Sequence, residues 1–267
     1  MTGPFVVMLA AMSEILGMIG PVYLVLAFAI ALFAGFVKGA VGFAMPMIMI
    51  SGLGSFLPPE VALAALIVPT VVTNIWQALR NGLAAAIATT RQIAVYVGIV
   101  LIFIAGSAQL VAVLPGWALF LLIGLPATVF AGAQLIGWRL HLRPEHRRRA
   151  EVIIGAVAGF FGGLSGVWGP PTVIYLTALN TPKTESIRAQ GVVYGLGAVA
   201  LLVAHLNSGI LNRETAPLSV MLLIPAILGL LLGFWVQDRL DQDRFRRATL
   251  LVLVIAGLNL IRRGLTG

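Results

Sequence analysis

Ala34-Gly35-Phe36-Val37-Lys38-Gly39-Ala40-Val41-Gly42-Phe43-Ala44-Met45-Pro46 is answered later in the chain by Ala158-Gly159-Phe160-Phe161-Gly162-Gly163-Leu164-Ser165-Gly166-Val167-Trp168-Gly169-Pro170. Both stretches follow the frame A-G-F-x-x-G-x-x-G-x-x-x-P, 124 residues apart. Each copy interrupts an apolar segment at the start of one half of the chain. The likeness carries on beyond it: Pro58 matches Pro182 at the same offset, Leu79-Arg80-Asn81-Gly82 matches Leu206-Asn207-Ser208-Gly209 at 127, which implies a three-residue insertion in the second half, Gly106 matches Gly233, and Ala131-Gly132 matches Ala256-Gly257. The chain is therefore an internal duplication. Each half reads as a broken segment followed by three full spans.

Composition sets the class. Of 267 residues, 60% are hydrophobic and 10% charged, against about 25% charged in a soluble domain. Val61–Leu79, Ile93–Leu114, Trp117–Trp138, Ile187–Leu206 and Ala216–Val236 each approach the roughly 20 residues that cross a hydrocarbon core. An all-α polytopic membrane protein follows, divided into a lead-in (1–20), a first membrane repeat (21–138), a basic linker (139–150) and a second repeat (151–263). The lead-in lacks the basic start and small-residue cleavage site of a signal peptide. No cysteine is present, so thiolate metal sites and cysteine nucleophiles are excluded. The net charge of +8 sits in short loops, where it orients the chain rather than binding nucleic acid. The Arg147-Arg148-Arg149 run suits anionic lipid.

The broken segments look short. Val22–Val37 is 16 residues, roughly 24 Å of helix, and Val152–Gly163 and Pro170–Leu179 are shorter. Re-entrant hairpins are expected, with full crossing as the other variant. If each hairpin returns to its own side, the halves are inverted. Setting Lys38 aside, one side then carries Arg80, Arg91, Arg139, Arg143, Arg147, Arg148, Arg149, Lys183, Arg188, Arg239, Arg244, Arg246 and Arg247, against Arg213, Arg262 and Arg263 on the other, a split of 13 to 3. Parallel repeats give 10 to 6. The positive-inside rule favours inverted repeats, with a cytoplasmic linker and both termini outside.

Matched Gly/Pro breaks in two halves are the best sequence pointer to a transporter's binding site. Pro46 and Pro170-Pro171 are suited to the first turn of a returning half-helix. Such N-termini, aimed into the membrane core, attract anions, and Gly42, Gly166 and Gly169 would let backbone and ligand approach. The same glycines also fit small-xxx-small helix packing. Lys38 either serves the substrate or snorkels to the surface. Asn74 and Gln77 share one helix face, as do Gln190 and Tyr194, and both pairs are open to cavity or helix-packing roles. Phe43, Ser165, Trp168 and Thr172 flank the breaks and complete the candidate substrate-binding set. His205 reads as a satisfied residue near a span end, and Met45, Met47 and Met49 as core.

The glycine-rich block Gly159–Pro171, the weaker copy Ala34–Pro46 and the loop Arg80-Asn81-Gly82 resemble the sulfite exporter TauE/SafE family of membrane transporters. The likeness runs from Val22 to Arg263. The first copy departs from it with Lys38, Phe43 and Met45, where glycine is commoner. What the resemblance implies is secondary transport of a small anion across the plasma (inner) membrane. Such anions are often sulfur oxyanions or organosulfonates, moved outward by most members and inward by some. An anion channel or an organic-anion importer of the same fold are the alternatives. An enzyme is not expected: the chain offers no catalytic residue, metal site or cofactor site, and Glu14, Glu60, Glu145, Glu151, Glu185, Glu214, Asp238, Asp241 and Asp243 are read into loops and helix ends. The expected partners are the small anion, the bilayer and, as an open option, a second copy in a homodimer.

Overall fold

Pro21 opens the first helix with the φ that a helix wants and without an N–H to leave unpaired. In a computed structural model, α1 runs Pro21–Val41 and is followed by α2 (Met45–Leu53), α3 (Pro59–Leu79), α4 (Leu83–Gln92), α5 (Ala94–Ser107, prolonged by a 3-10 turn to Ala112) and α6 (Gly116–Leu135). The second half holds α7 (Arg147–Ser165), α8 (Gly169–Ala178), α9 (Lys183–Asn207), α10 (Ala216–Gln237) and α11 (Gln242–Thr266). The structure describes residues 20–80, 82–138, 140, 142, 144–237 and 241–266. The lead-in before Gly20, with Glu14, and the loop residues Asn81, Arg139, His141, Arg143, Asp238 and Arg239 lie outside the described residues, as do the side chains of Lys183, Asp243 and Arg246. Among the described residues there are eleven helices and no strand, and seven helical segments are long and apolar enough to cross a bilayer.

Two expectations are corrected. The first helices of the broken segments are not short: α1 has 21 residues and α7 has 19. Glycines that weaken an isolated helix are here held by packing, which overrides propensity. A Cβ on Gly35 would meet the backbone carbonyl of Ala226, and one on Gly39 that of Leu230, so only glycine lets α1 lie against α10. In α7, Gly159 and Gly163 meet the backbone of α5 at Val100 and Ile104 in the same way. Second, α7 begins inside the expected linker, at Arg147, and Glu151 lies near that helix end, one of the places expected for it. It is buried in α7, where its carboxylate accepts from Arg147 Nε at 3.2 Å and from Tyr175 Oη at 2.9 Å.

The packing exchanges partners between halves. Helix α1 lies on α10 and α7 lies on α5, while α3 pairs with α9 and α6 with α11. Exchanging the two halves maps this set of pairs onto itself. Helix α3 carries Pro69, whose missing N–H orphans the carbonyl of Ala65. Ser219 of α10 donates to that carbonyl at 3.2 Å and accepts from Val68 N–H at 3.0 Å, so the neighbouring helix repairs the ladder.

Candidate functional site

Both broken segments end their first helix in the same way. Gly42 (φ 87°) and Gly166 (φ 72°) take the left-handed conformation, and their N–H groups donate to Lys38 O and Gly162 O, each at 2.7 Å. A left-handed residue of this kind closes a helix, and glycine adopts it without penalty. The three glycines of the frame thus divide the work: two seat the helix on its partner and the third stops it. After the break, Pro46 and Pro170 lie in the first turns of α2 and α8, and neither N-terminus receives a side-chain cap.

The breaks meet. A Cβ on Gly166 would sit 3.4 Å from Pro46 Cβ, and one on Gly169 would sit 3.7 Å from Phe43 Cβ. Between them lies a pocket of about 20 Å³, room for about one water. Its wall is Lys38, Phe43, Pro46 and Asn74 from the first half and Gly166, Trp168, Gly169, Pro170 and Tyr194 from the second, together with Ala44, Met47 and Val167.

Lys38 is 2% exposed, so its side chain does not reach the surface. Its Nζ donates to Asn74 Oδ1 and stands 5.9 Å from the centre of the Tyr194 ring. Among the described residues the pocket wall contains no carboxylate. A buried ammonium without a counter-charge is costly, and an anion would supply it. Tyr194 Oη donates to Gly169 O at 3.3 Å, tying α9 to the second break. Gln77 and Gln190 stand beside Gly42, within 3.7 and 3.9 Å of where a Cβ would be, and Gln77 Nε2 is a buried donor without a partner.

Six sequence candidates stay outside the pocket wall: Gly42, Gln77 and Gln190, which stand together beside it, and Ser165, Pro171 and Thr172. Ser165 donates back to Phe161 O at 2.8 Å and Thr172 to Trp168 O at 2.7 Å, each within its own stretch of chain, and Pro171 is buried off the wall. Thr172 also meets Tyr96 Oη at 3.0 Å, and Tyr96 stacks on Tyr175 with ring centres 4.4 Å apart. A continuous brace therefore runs from Arg147 through Glu151, Tyr175 and Tyr96 to Thr172 and the second break. His205 is fully buried, with Nε2 donating to Gly163 O at 3.0 Å and Nδ1 3.3 Å from Ser208 Oγ.

Ala44, Met47 and Val167 were not among the sequence candidates. Carrying the repeat register through the variable positions finds two of them, since Ala44 matches Trp168 and Val167 matches Phe43. The register also explains an asymmetry. The counterpart of Lys38 is Gly162, where a Cβ would lie 2.7 Å from the Trp168 ring. The first half puts its large side chain on the helix and a small one in the break, and the second half does the reverse.

A family model described as Sulfite exporter TauE/SafE matches residues 27–260. No curated protein and no solved structure matches the chain.

Proposed function

The chain belongs to the sulfite exporter TauE/SafE family, and from that premise we propose that it carries a small anion, of the sulfite or organosulfonate class, out across the plasma membrane by alternating access around the two breaks. The observation that carries this reading is Lys38: a buried lysine, bonded to an amide, in a pocket that has no carboxylate among the described residues and is built equally by both halves. The uncapped starts of α2 and α8 add backbone donors and the positive ends of their dipoles to the same space. Gln77 Nε2 is a further donor awaiting an acceptor.

The two halves are inverted repeats in this reading, with the 139–150 linker in the cytoplasm. The exchanged packing of α1 on α10 and α7 on α5 supports a two-fold relation between the halves, since exchanging the halves leaves the set of pairs unchanged. The short helices α2 and α8, of 9 and 10 residues, cannot span the membrane, and they return from the breaks as re-entrant arms. The pocket is smaller than a sulfur oxyanion, so the half-domains must part slightly to load it and rock to release it.

The test is a thermal-shift series on detergent-purified protein against sulfite, sulfate, thiosulfate, sulfoacetate and acetate, beside counterflow in proteoliposomes. A ligand that binds only the folded state raises its apparent stability. A saturable shift with one sulfur anion, trans-stimulated exchange of it, and loss of both in Gly166→Leu are the expected results. Normal exchange by Gly166→Leu overturns the site. Flux without saturation or trans-stimulation makes the protein a channel.

A further inference from the structure

A cavity of about 350 Å³ opens below α8, walled by Gln134, Trp138, Val173, Ile174, Thr177 and Arg247, among others. It lies where α6 ends and α11 begins, on the side of the chain that carries the 139–150 linker. Three features mark it as more than a packing gap. First, among the described residues its wall contains Arg247 and no acidic side chain. Arg247 is exposed and makes no hydrogen bond or ion pair with any described residue.

Second, the cavity points at the central pocket. Pro170, Ile174 and Thr177 are spaced i, i+4 and i+7 on α8, so they form one stripe along the helix. Pro170 belongs to the pocket between the breaks, and Ile174 and Thr177 belong to the cavity. One face of an α-helix thus leads from one space to the other.

Third, the repeat offers an internal control. At the offset of 124, Val173, Ile174 and Thr177 correspond to Met49, Ile50 and Leu53 of α2, and all three of these are fully buried. A Cβ on Gly54 would lie 3.2 Å from the Phe120 ring, and the Arg263 guanidinium sits over that ring at 4.7 Å. Ser51 donates to Ala256 O at 2.8 Å, and Asn259 donates to Ser55 at 2.9 Å. The space that is open under α8 is packed shut under α2.

From this asymmetry we infer that the cavity is the vestibule by which the anion enters from the linker side, with Arg247 as the cation that gathers small mono- and dianions at its mouth. The inference rests on the transport reading given above. It makes the structure an inward-open form, and the packed face of α2 with Arg263 on Phe120 is the outer gate that would open in the opposite state.

The chain has no cysteine, so a single introduced thiol is the only one present. Thr177→Cys and, separately, Gln134→Cys are placed in the full chain in sealed vesicles of both orientations. Each is treated with an anionic methanethiosulfonate, the ethylsulfonate, and with its cationic trimethylammonium analogue. The expected result is modification from the linker face only. The anionic reagent should be favoured by roughly three- to tenfold after correction for the intrinsic rates on free thiol, as focusing by one unscreened cation allows. That preference should fall to parity in Arg247→Gln. If Thr177→Cys does not insert, Gln134→Cys carries the same test. No reaction at the inserted thiol, reaction from the far face, or a preference indifferent to Arg247→Gln overturns the vestibule. None of these readouts needs transport, so the vestibule can fall while the Gly166→Leu experiment upholds the pocket, and the reverse.

Discussion

Lys38 is held where a charge on it would cost the empty protein stability, and that tension can be measured. Lys38→Met keeps the length and apolar stem, removes the uncompensated charge, and leaves Asn74 with one bond fewer. The variant should insert normally and melt no lower than the parent without anion. It should bind the anion roughly ten- to hundredfold more weakly, the worth of a charge-assisted hydrogen bond. Thermal-shift titration of both proteins checks the two halves of this expectation, and unchanged affinity would remove Lys38 from the site. Gly162→Ala probes the opposite corner. The added methyl would lie 2.7 Å from the Trp168 ring, a core atom that cannot swing clear. A loss of about 1–3 kcal/mol is expected, as for overpacking elsewhere, with a shift in tryptophan emission reporting the displaced ring. At this scale the sequence was partly legible. The breaks at Gly42 and Gly166 could be placed because positive φ and a missing proline N–H are local constraints. The fates of Ser165 and Thr172 could not, because hydroxyls in membrane helices often bond back to their own backbone, and residue type does not say when.

Helices in this protein are finished by their neighbours. Ser219 stands in for the hydrogen bond that Pro69 denies to α3, touching both Ala65 O and Val68 N–H. Ser219→Ala should therefore cost about 1–3 kcal/mol, the penalty of leaving buried backbone groups unpaired. Pro69→Ala supplies the missing N–H, so the double variant should recover part of that loss. A double-mutant cycle on melting temperature measures the coupling, and strictly additive losses would show that Ser219 does not mend α3. The same dependence explains why helix extents were harder to read than helix breaks. Hydropathy alone extends the linker to residue 150, whereas α7 starts at Arg147 because Arg147, Glu151 and Tyr175 satisfy one another. Likewise α1 continues through Lys38–Val41 because Gly39 rests on Leu230, a contact invisible in the local sequence.

The whole molecule is two halves that hold each other's first helix. Its membrane class, its duplication and the pairing of the breaks could be seen in composition and in the repeated frame, since these are properties of patterns along the chain. The exchange of α1 onto α10 and α7 onto α5 could not, because nothing in a repeat says which copy its parts will pack against. Expressed alone, residues 21–138 should insert yet remain open to protease, with α1 lacking its seat. Co-expression with residues 139–267 should restore protection and anion binding. Protection of the first half by itself would mean the exchange contributes little. The exchange also sets a clock on biosynthesis. Gly35 leaves the ribosome roughly 190 residues before Ala226, the residue it rests on, which at ~5–20 residues per second is roughly 10–40 s. Throughout that interval the first helix is in the bilayer with its glycine face unfilled. The nascent chain therefore depends on a temporary companion, either lipid or an insertion chaperone, until translation delivers the permanent one.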